Sequence, residues 1–190
     1  MLKLRIGRPL QGNFSDLQWT AIRAFDAHQL ALSLVVGSLL GICCAGAWLV
    51  LDARSLPLGG PSTAGALWVV AALSVGHEFS HSLAFPGGGF DSKTVIGIWP
   101  GLAAPYAQYL APMGRNRFML VCLLPLATLS MFPLFLVAMG IGSVPLLSWI
   151  SVLNCVFAGS DFFIFGKLFA TVPASASILE SEGALYWSHQ

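Results

Sequence analysis

The stretch Trp68–Phe85, WVVAALSVGHEFSHSLAF, decides how this chain is read. It is apolar for most of its length, yet it places His77, Glu78 and His81 within the apolar run. Two histidines four residues apart on a helix project from one face, so both imidazoles can grip one tetrahedral metal ion. Glu78, about 100° further round the helix, lies beside the open position of such a metal, where a carboxylate can take a proton from water. On a soluble helix the same three residues are often only a solvated face. Here Val69–Gly76 and Ser82–Phe85 flank them, and ionisable groups at membrane depth are costly and mark functional sites.

Composition supports a membrane setting. The chain of 190 residues is 56% apolar and only 9% charged, whereas soluble domains are about a quarter charged. A surface so poor in charge is tolerable when lipid is the solvent. The net charge of +1 gives no reason to expect nucleic acid as a partner. Cys43, Cys44, Cys122 and Cys155 all fall in apolar runs, without the Cys-x-x-Cys spacing of a zinc knuckle, and read as packing residues. The start, Met-Leu-Lys-Leu-Arg, precedes mixed residues to Gln29 and lacks the pattern of a cleaved signal peptide.

A spanning helix needs about 20 apolar residues. Four windows predict spans, at 30–51, 63–85, 118–140 and 144–165, in one all-α membrane-embedded domain covering residues 1–190. Residues 1–29 form an N-terminal segment, 86–117 a Gly/Pro-rich loop too broken to span, and 167–190 a tail. Lys3, Arg5, Arg8, Arg23, Lys93, Arg115, Arg117 and Lys167 then fall on one side and Arg54 on the other, which predicts cytoplasmic termini in an inner or plasma membrane. Ser15-Asp16-Leu17-Gln18 reads as a capping box for a short interfacial helix using Leu17, Ile22 and Phe25, or for an extension of the first span. Leu2–Ile6, Thr94–Ile98 and Ala184–Trp187, the last preceded by a turn at Glu180–Gly183, could build a small cytoplasmic β element.

A zinc site needs a third protein ligand. By residue type the candidates are Asp52, Asp91, Asp161, Glu180, Glu182, His28 and His189. Depth favours Asp161: His81 lies about five residues before Pro86, and Asp161 about six before Lys167, so in spans of the same direction they share a height. The alternative is an ordinary Asp161–Lys167 ion pair. Asn154, seven residues earlier, could hold a substrate carbonyl or an oxyanion, or could serve only as an interhelical hydrogen bond. In the 86–117 loop, Gly87–Gly89 could hinge. Ala103, Ala104 and Tyr106, or Thr94–Ile98, could offer a strand edge to a substrate, or the loop could dip into the interface on Trp99, Tyr106 and Tyr109.

These residues carry a resemblance. His77-Glu-Phe-Ser-His81 followed by Phe85-Pro-Gly87, a polar hairpin, Pro112-Met-Gly-Arg-Asn-Arg-Phe118, and Asn154…Gly159-Ser160-Asp161 resemble the zincin-type membrane peptidases of a domain-of-unknown-function family, distant relatives of the site-2 proteases. The chain departs from classical site-2 proteases in lacking the prolines and the glycine of their Asn…Leu-Asp-Gly segment. The resemblance implies His77, His81 and Asp161 as zinc ligands, Glu78 as catalytic base, and hydrolysis of a transmembrane or membrane-associated protein near the cytoplasmic face. A metal-binding membrane protein without catalysis would keep the ligands but not need Glu78. Paired haem ligation is excluded, because two histidines at i and i+4 cannot bind opposite faces of one haem.

Overall fold

The computed structural model describes residues 2–14, 18–22, 27–52, 63–141 and 145–189. Helix α1 (Ala27–Asp52) is followed by α2 (Thr63–Leu83), α3 (Arg115–Pro125), α4 (Phe132–Ala138), α5 (Pro145–Phe157) and α6 (Gly159–Thr171). Strands β1 (Lys3–Ile6), β3 (Thr94–Trp99) and β4 (Ala104–Tyr109) form one sheet in the order β1-β3-β4. Strands β2 (Thr20–Ile22), β7 (Ala184–Ser188), β6 (Ser177–Ser181) and β5 (Met113–Gly114) form a second sheet, in that order.

This architecture corrects the all-α, four-span expectation: the fold is mixed α/β. Among the described residues two helical stretches are long and apolar enough to cross a membrane, Ala27–Leu51 and Arg115–Ala138. A third exists only if α5 and α6, bent by 44°, count as one span. Helix α2 does not qualify, because its final turns carry His77, Glu78, Ser80, His81 and Ser82. The 86–117 segment, expected as a Gly/Pro-rich loop with a possible strand, carries β3, β4 and β5. Thr94-Val-Ile-Gly-Ile-Trp99 is rich in β-branched and aromatic residues and forms β3, the central strand of its sheet.

The expected strands at 2–6, 94–98 and 184–187 form, each within a residue or so of its expected bounds. The β6–β7 turn is Glu182-Gly183, both at positive φ (53° and 80°), the geometry of a two-residue hairpin. Glu180 therefore belongs to β6 rather than to the turn. Of the expected capping box at 15–18, residues 15–17 lie outside the described residues. Of its interfacial helix, Ile22 lies instead in β2, paired with Leu185 of β7. Gly87–Gly89 forms a tight turn after α2, and a Cβ on Gly89 would stand 2.4 Å from the Ser82 carbonyl oxygen. That turn is packed beneath α2, which argues against a hinge.

Two arginines seal helix ends. Arg115 donates to the carbonyls of Leu168 (3.2 Å) and Phe169 (2.9 Å), and Arg117 to those of Ala84 (2.9 Å) and Phe85 (3.0 Å). Each guanidinium donates to carbonyls at or just past a helix C-terminus, where cations are favoured, and Leu168 O and Phe85 O also accept the amides of Val172 and Gly88. Around them Phe85, Tyr109, Met113, Phe118, Leu168 and Ile178 form the core that joins helices to sheets. Gln108, fully buried, ties the two sheets together: its amide donates to Leu10 O (2.8 Å) and Glu180 O (3.3 Å) and accepts from Leu10 N (2.8 Å).

Helix α1 crosses the α5–α6 bend through glycine contacts. A Cβ on Gly159 would lie 2.5 Å from both Gly37 Cα and Ser33 O. Such approach is how small residues let helices pack without side-chain interlock. Gly159→Ala is expected to cost about 1–3 kcal/mol, seen as a lower unfolding midpoint in detergent. Gly46→Ala, which meets nothing within 4 Å, is the control and should leave the midpoint in place.

Candidate metal centre

Helix α2 presents His77 and His81 on one face with their rings 4.9 Å apart, nearly perpendicular, and both are largely buried. Each imidazole is fixed through Nδ1. His77 Nδ1 meets Asn154 Oδ1 at 2.8 Å, and His81 Nδ1 meets the Val121 carbonyl oxygen at 2.8 Å. The carbonyl can only accept, so His81 Nδ1 carries the proton and leaves the Nε2 lone pair free. Asn154 spends its own amide donors on Pro125 O (2.9 Å) and Ser130 Oγ (2.8 Å), so it presents its oxygen and imposes the same tautomer on His77. Histidines that hold metals are commonly oriented in this way.

Local sequence explains both acceptors. Val121 O would normally receive the N–H of residue 125, but that residue is proline, so the carbonyl is left for His81. The chain then widens into a π-helical turn, Leu126–Met131, which lets Pro125 O and buried Ser130 reach Asn154. Ser148, Ser151 and Asn154 form a buried polar edge on α5 facing that turn.

The two Nε2 atoms converge on one oxygen, Asp161 Oδ2, at 2.9 Å from His77 and 3.4 Å from His81. Ligands about 2.0–2.1 Å from a tetrahedral zinc ion stand roughly 3.3 Å from one another, so this trio fits one ion. The bend between α5 and α6 makes it possible. On a straight helix Asn154 and Asp161 would be about 10 Å apart, yet here they bind opposite nitrogens of the same imidazole. A second grouping, His77, Glu78 and His81, has its ligand atoms within 4.8 Å of one another. The two groupings share both histidines, and they differ in whether Asp161 or Glu78 stands as the third donor. No Asp161–Lys167 ion pair occurs among the described residues.

Glu78 Oε2 accepts the backbone N–H of Ala107 at 2.9 Å. That amide points away from β3, so the unpaired edge of β4 faces Glu78. A cavity of about 290 Å³ opens there, bordered by Glu78, His81, Asp161, Ala107, Phe118 and Glu180. Burial, together with the nearby Glu78 carboxylate, pushes the Glu180 carboxyl up to about 7.

The other expectations sort clearly. Asn154 is fully buried and engaged by His77, Pro125 and Ser130, which leaves it no place on a substrate carbonyl. Ala103 sits at φ 49° in the β3–β4 turn, Ala104 pairs with Trp99, and Tyr106 donates its hydroxyl to Arg8 O (3.3 Å). Thr94–Ile98 is the central strand and offers no edge. The backbone that faces the site is that of Ala107, on the same strand. Asp91 is bonded to Lys93 N and the Tyr109 hydroxyl, His28 and His189 are exposed, Glu182 is in the hairpin turn and Asp52 ends α1. Val121 O, Ser130, Ala107 N and the cavity position of Glu180 are the parts the motifs did not reveal. Pro125 is the one residue whose signal, a helix-interior proline, was present in the sequence.

A His-x-x-x-His pair, a carboxylate meeting both imidazoles and a glutamate alongside are the donor types that suit a divalent metal ion. A family described as "Putative zincin peptidase" matches residues 69–176, more than half the chain, and the chain belongs to that family. No curated protein matches it, and no solved structure does.

Proposed function

We propose that the chain is an intramembrane zinc metallopeptidase in which His77, His81 and Asp161 hold the metal and Glu78 is the general base. The observation that carries this reading is the convergence of both histidine Nε2 atoms on Asp161 Oδ2, with each Nδ1 occupied by an oxygen acceptor. Zinc, when bound, acidifies a water molecule and polarises the scissile carbonyl. Glu78, held by the Ala107 amide, accepts the water's proton and returns it to the leaving amine. Asn154 and the Val121 carbonyl keep the imidazoles in the ligating tautomer and orientation.

The substrate we propose is a transmembrane or membrane-associated protein. Its helix hides the peptide bonds in internal hydrogen bonds and must unwind locally. The free edge of β4 supplies backbone groups with which an unwound segment can pair, beside Glu78. Strands β2 and β7 pair, which brings segments near the two chain ends to the same side of any membrane crossed. On the distribution of basic residues we assign that side to the cytoplasm.

Purified protein should carry about one zinc per chain, lost in His77→Ala and in His81→Ala. Asn154→Ala should keep the fold but weaken zinc about 10- to 100-fold, because His77 is then free to rotate. Metal analysis and zinc titration read both effects, and undiminished zinc in the histidine variants would refute the site.

A further inference from the structure

The cavity beside Glu78 receives another carboxylate, which the hydrolytic reading leaves unused. Glu180 comes from β6, beyond the matched stretch 69–176, and lines the same cavity as Glu78, His81 and Asp161. Its backbone is anchored by the buried Gln108 amide, so the strand holds it in place. Among the described residues its carboxylate accepts no hydrogen bond and joins no ion pair, including with Lys167 on the α6 wall. Much of the surrounding wall is apolar, from Ile22, Phe118, Ile164, Leu168 and Leu185, with Tyr106 and Lys167 also on the lining. A carboxylate in such a setting is costly unless a cation reaches it. The metal-type cluster does not supply one directly, since both Nε2 atoms are directed at Asp161. At about 290 Å³ the space is at the lower end for small-ligand sites, suited to a single side chain or a chain terminus.

We propose that Glu180 is a specificity residue that receives a positively charged group of the substrate next to the scissile bond, the ammonium or guanidinium of a Lys or Arg side chain or a free α-amine. This rests on the peptidase reading of the same cavity. Its geometry is that of a half-buried carboxyl group facing the cavity without a cation partner, in a hairpin whose turn, Glu182-Gly183, sits two residues beyond it.

The test uses the full-length, zinc-loaded protein in detergent micelles. Anisotropy binding is measured with fluorescent apolar peptides bearing Lys, acetyl-lysine or norleucine at one central position, each with a free or acetylated N-terminus. The wild type should prefer a cationic peptide by about 10- to 100-fold. If the preference follows the central Lys, the site takes a side chain; if it follows the free N-terminus, it takes the α-amine. Glu180→Gln should erase the preference, Glu180→Asp should keep part of it, and Glu180→Lys should turn it toward a glutamate peptide. A wild type indifferent to charge, or a preference that survives in Glu180→Gln, overturns the proposal. Cleavage is followed in the same samples. Charge preference without cleavage leaves Glu180 assigned and removes the peptidase reading, and cleavage without charge preference does the reverse.

Discussion

Glu78→Gln is expected to retain about one zinc per chain and to lose hydrolysis of a membrane-protein substrate by about 10²- to 10⁴-fold. The amide has nearly the same shape, and its oxygen can still accept the Ala107 amide that now meets Glu78 Oε2 at 2.9 Å. Position is therefore preserved and only basicity is removed. The zinc should survive because the histidine Nε2 atoms are directed at Asp161, at 2.9 and 3.4 Å. Two measurements on one sample decide the matter, metal content and cleavage rate. Zinc lost in Glu78→Gln would make Glu78 a ligand, as its membership of the His77-Glu78-His81 cluster permits. Zinc kept with cleavage within a few fold of wild type would remove the base from the mechanism.

Asp161→Asn should cost zinc affinity on the order of 10²-fold or more, exceeding the 10–100-fold typical of partners that only orient a ligand. The change keeps the shape and removes a formal charge from the ligand set. Asp161→Glu should recover part of the affinity, since it keeps the charge and moves it by one methylene. Lys167→Ala should leave zinc unchanged, because Asp161 is held by two imidazoles rather than by that lysine. Zinc titration of these variants beside His81→Ala completes the comparison. Unchanged affinity in Asp161→Asn would leave the two histidines without their third ligand.

The site was more legible than the fold. His77, Glu78 and His81 could be grouped from spacing because a helix fixes which side chains share a face. Asp161 stands out by residue type and by a shared depth that assumes four straight spans; the structure sets it against both imidazoles, but on a bent helix pair rather than a straight span. The span count failed because hydropathy was summed over windows whose polar ends belong to a site, as in α2, and because a bend divides the last window. Of the two readings of Asn154, the interhelical hydrogen bond is the one present. A straight helix sets it two turns from Asp161, whereas the bend at Ala158 brings both onto His77.

Sequence alone therefore determined which side chains share one face of α2, the apolar character of α1 and of the α3–α4 stretch, and the local strands at β1, β3 and β7. Each depends on neighbours a few residues apart, for which backbone geometry is nearly invariant. Tertiary structure decided that Val121 O, freed by Pro125, orients His81 and that Asn154 orients His77. It decided that the β4 edge at Ala107 meets Glu78 and that Glu180 enters the cavity from the last hairpin. These contacts join residues 29 to 102 positions apart, and no local periodicity records them. They arise because buried donors and acceptors must find partners wherever packing brings them.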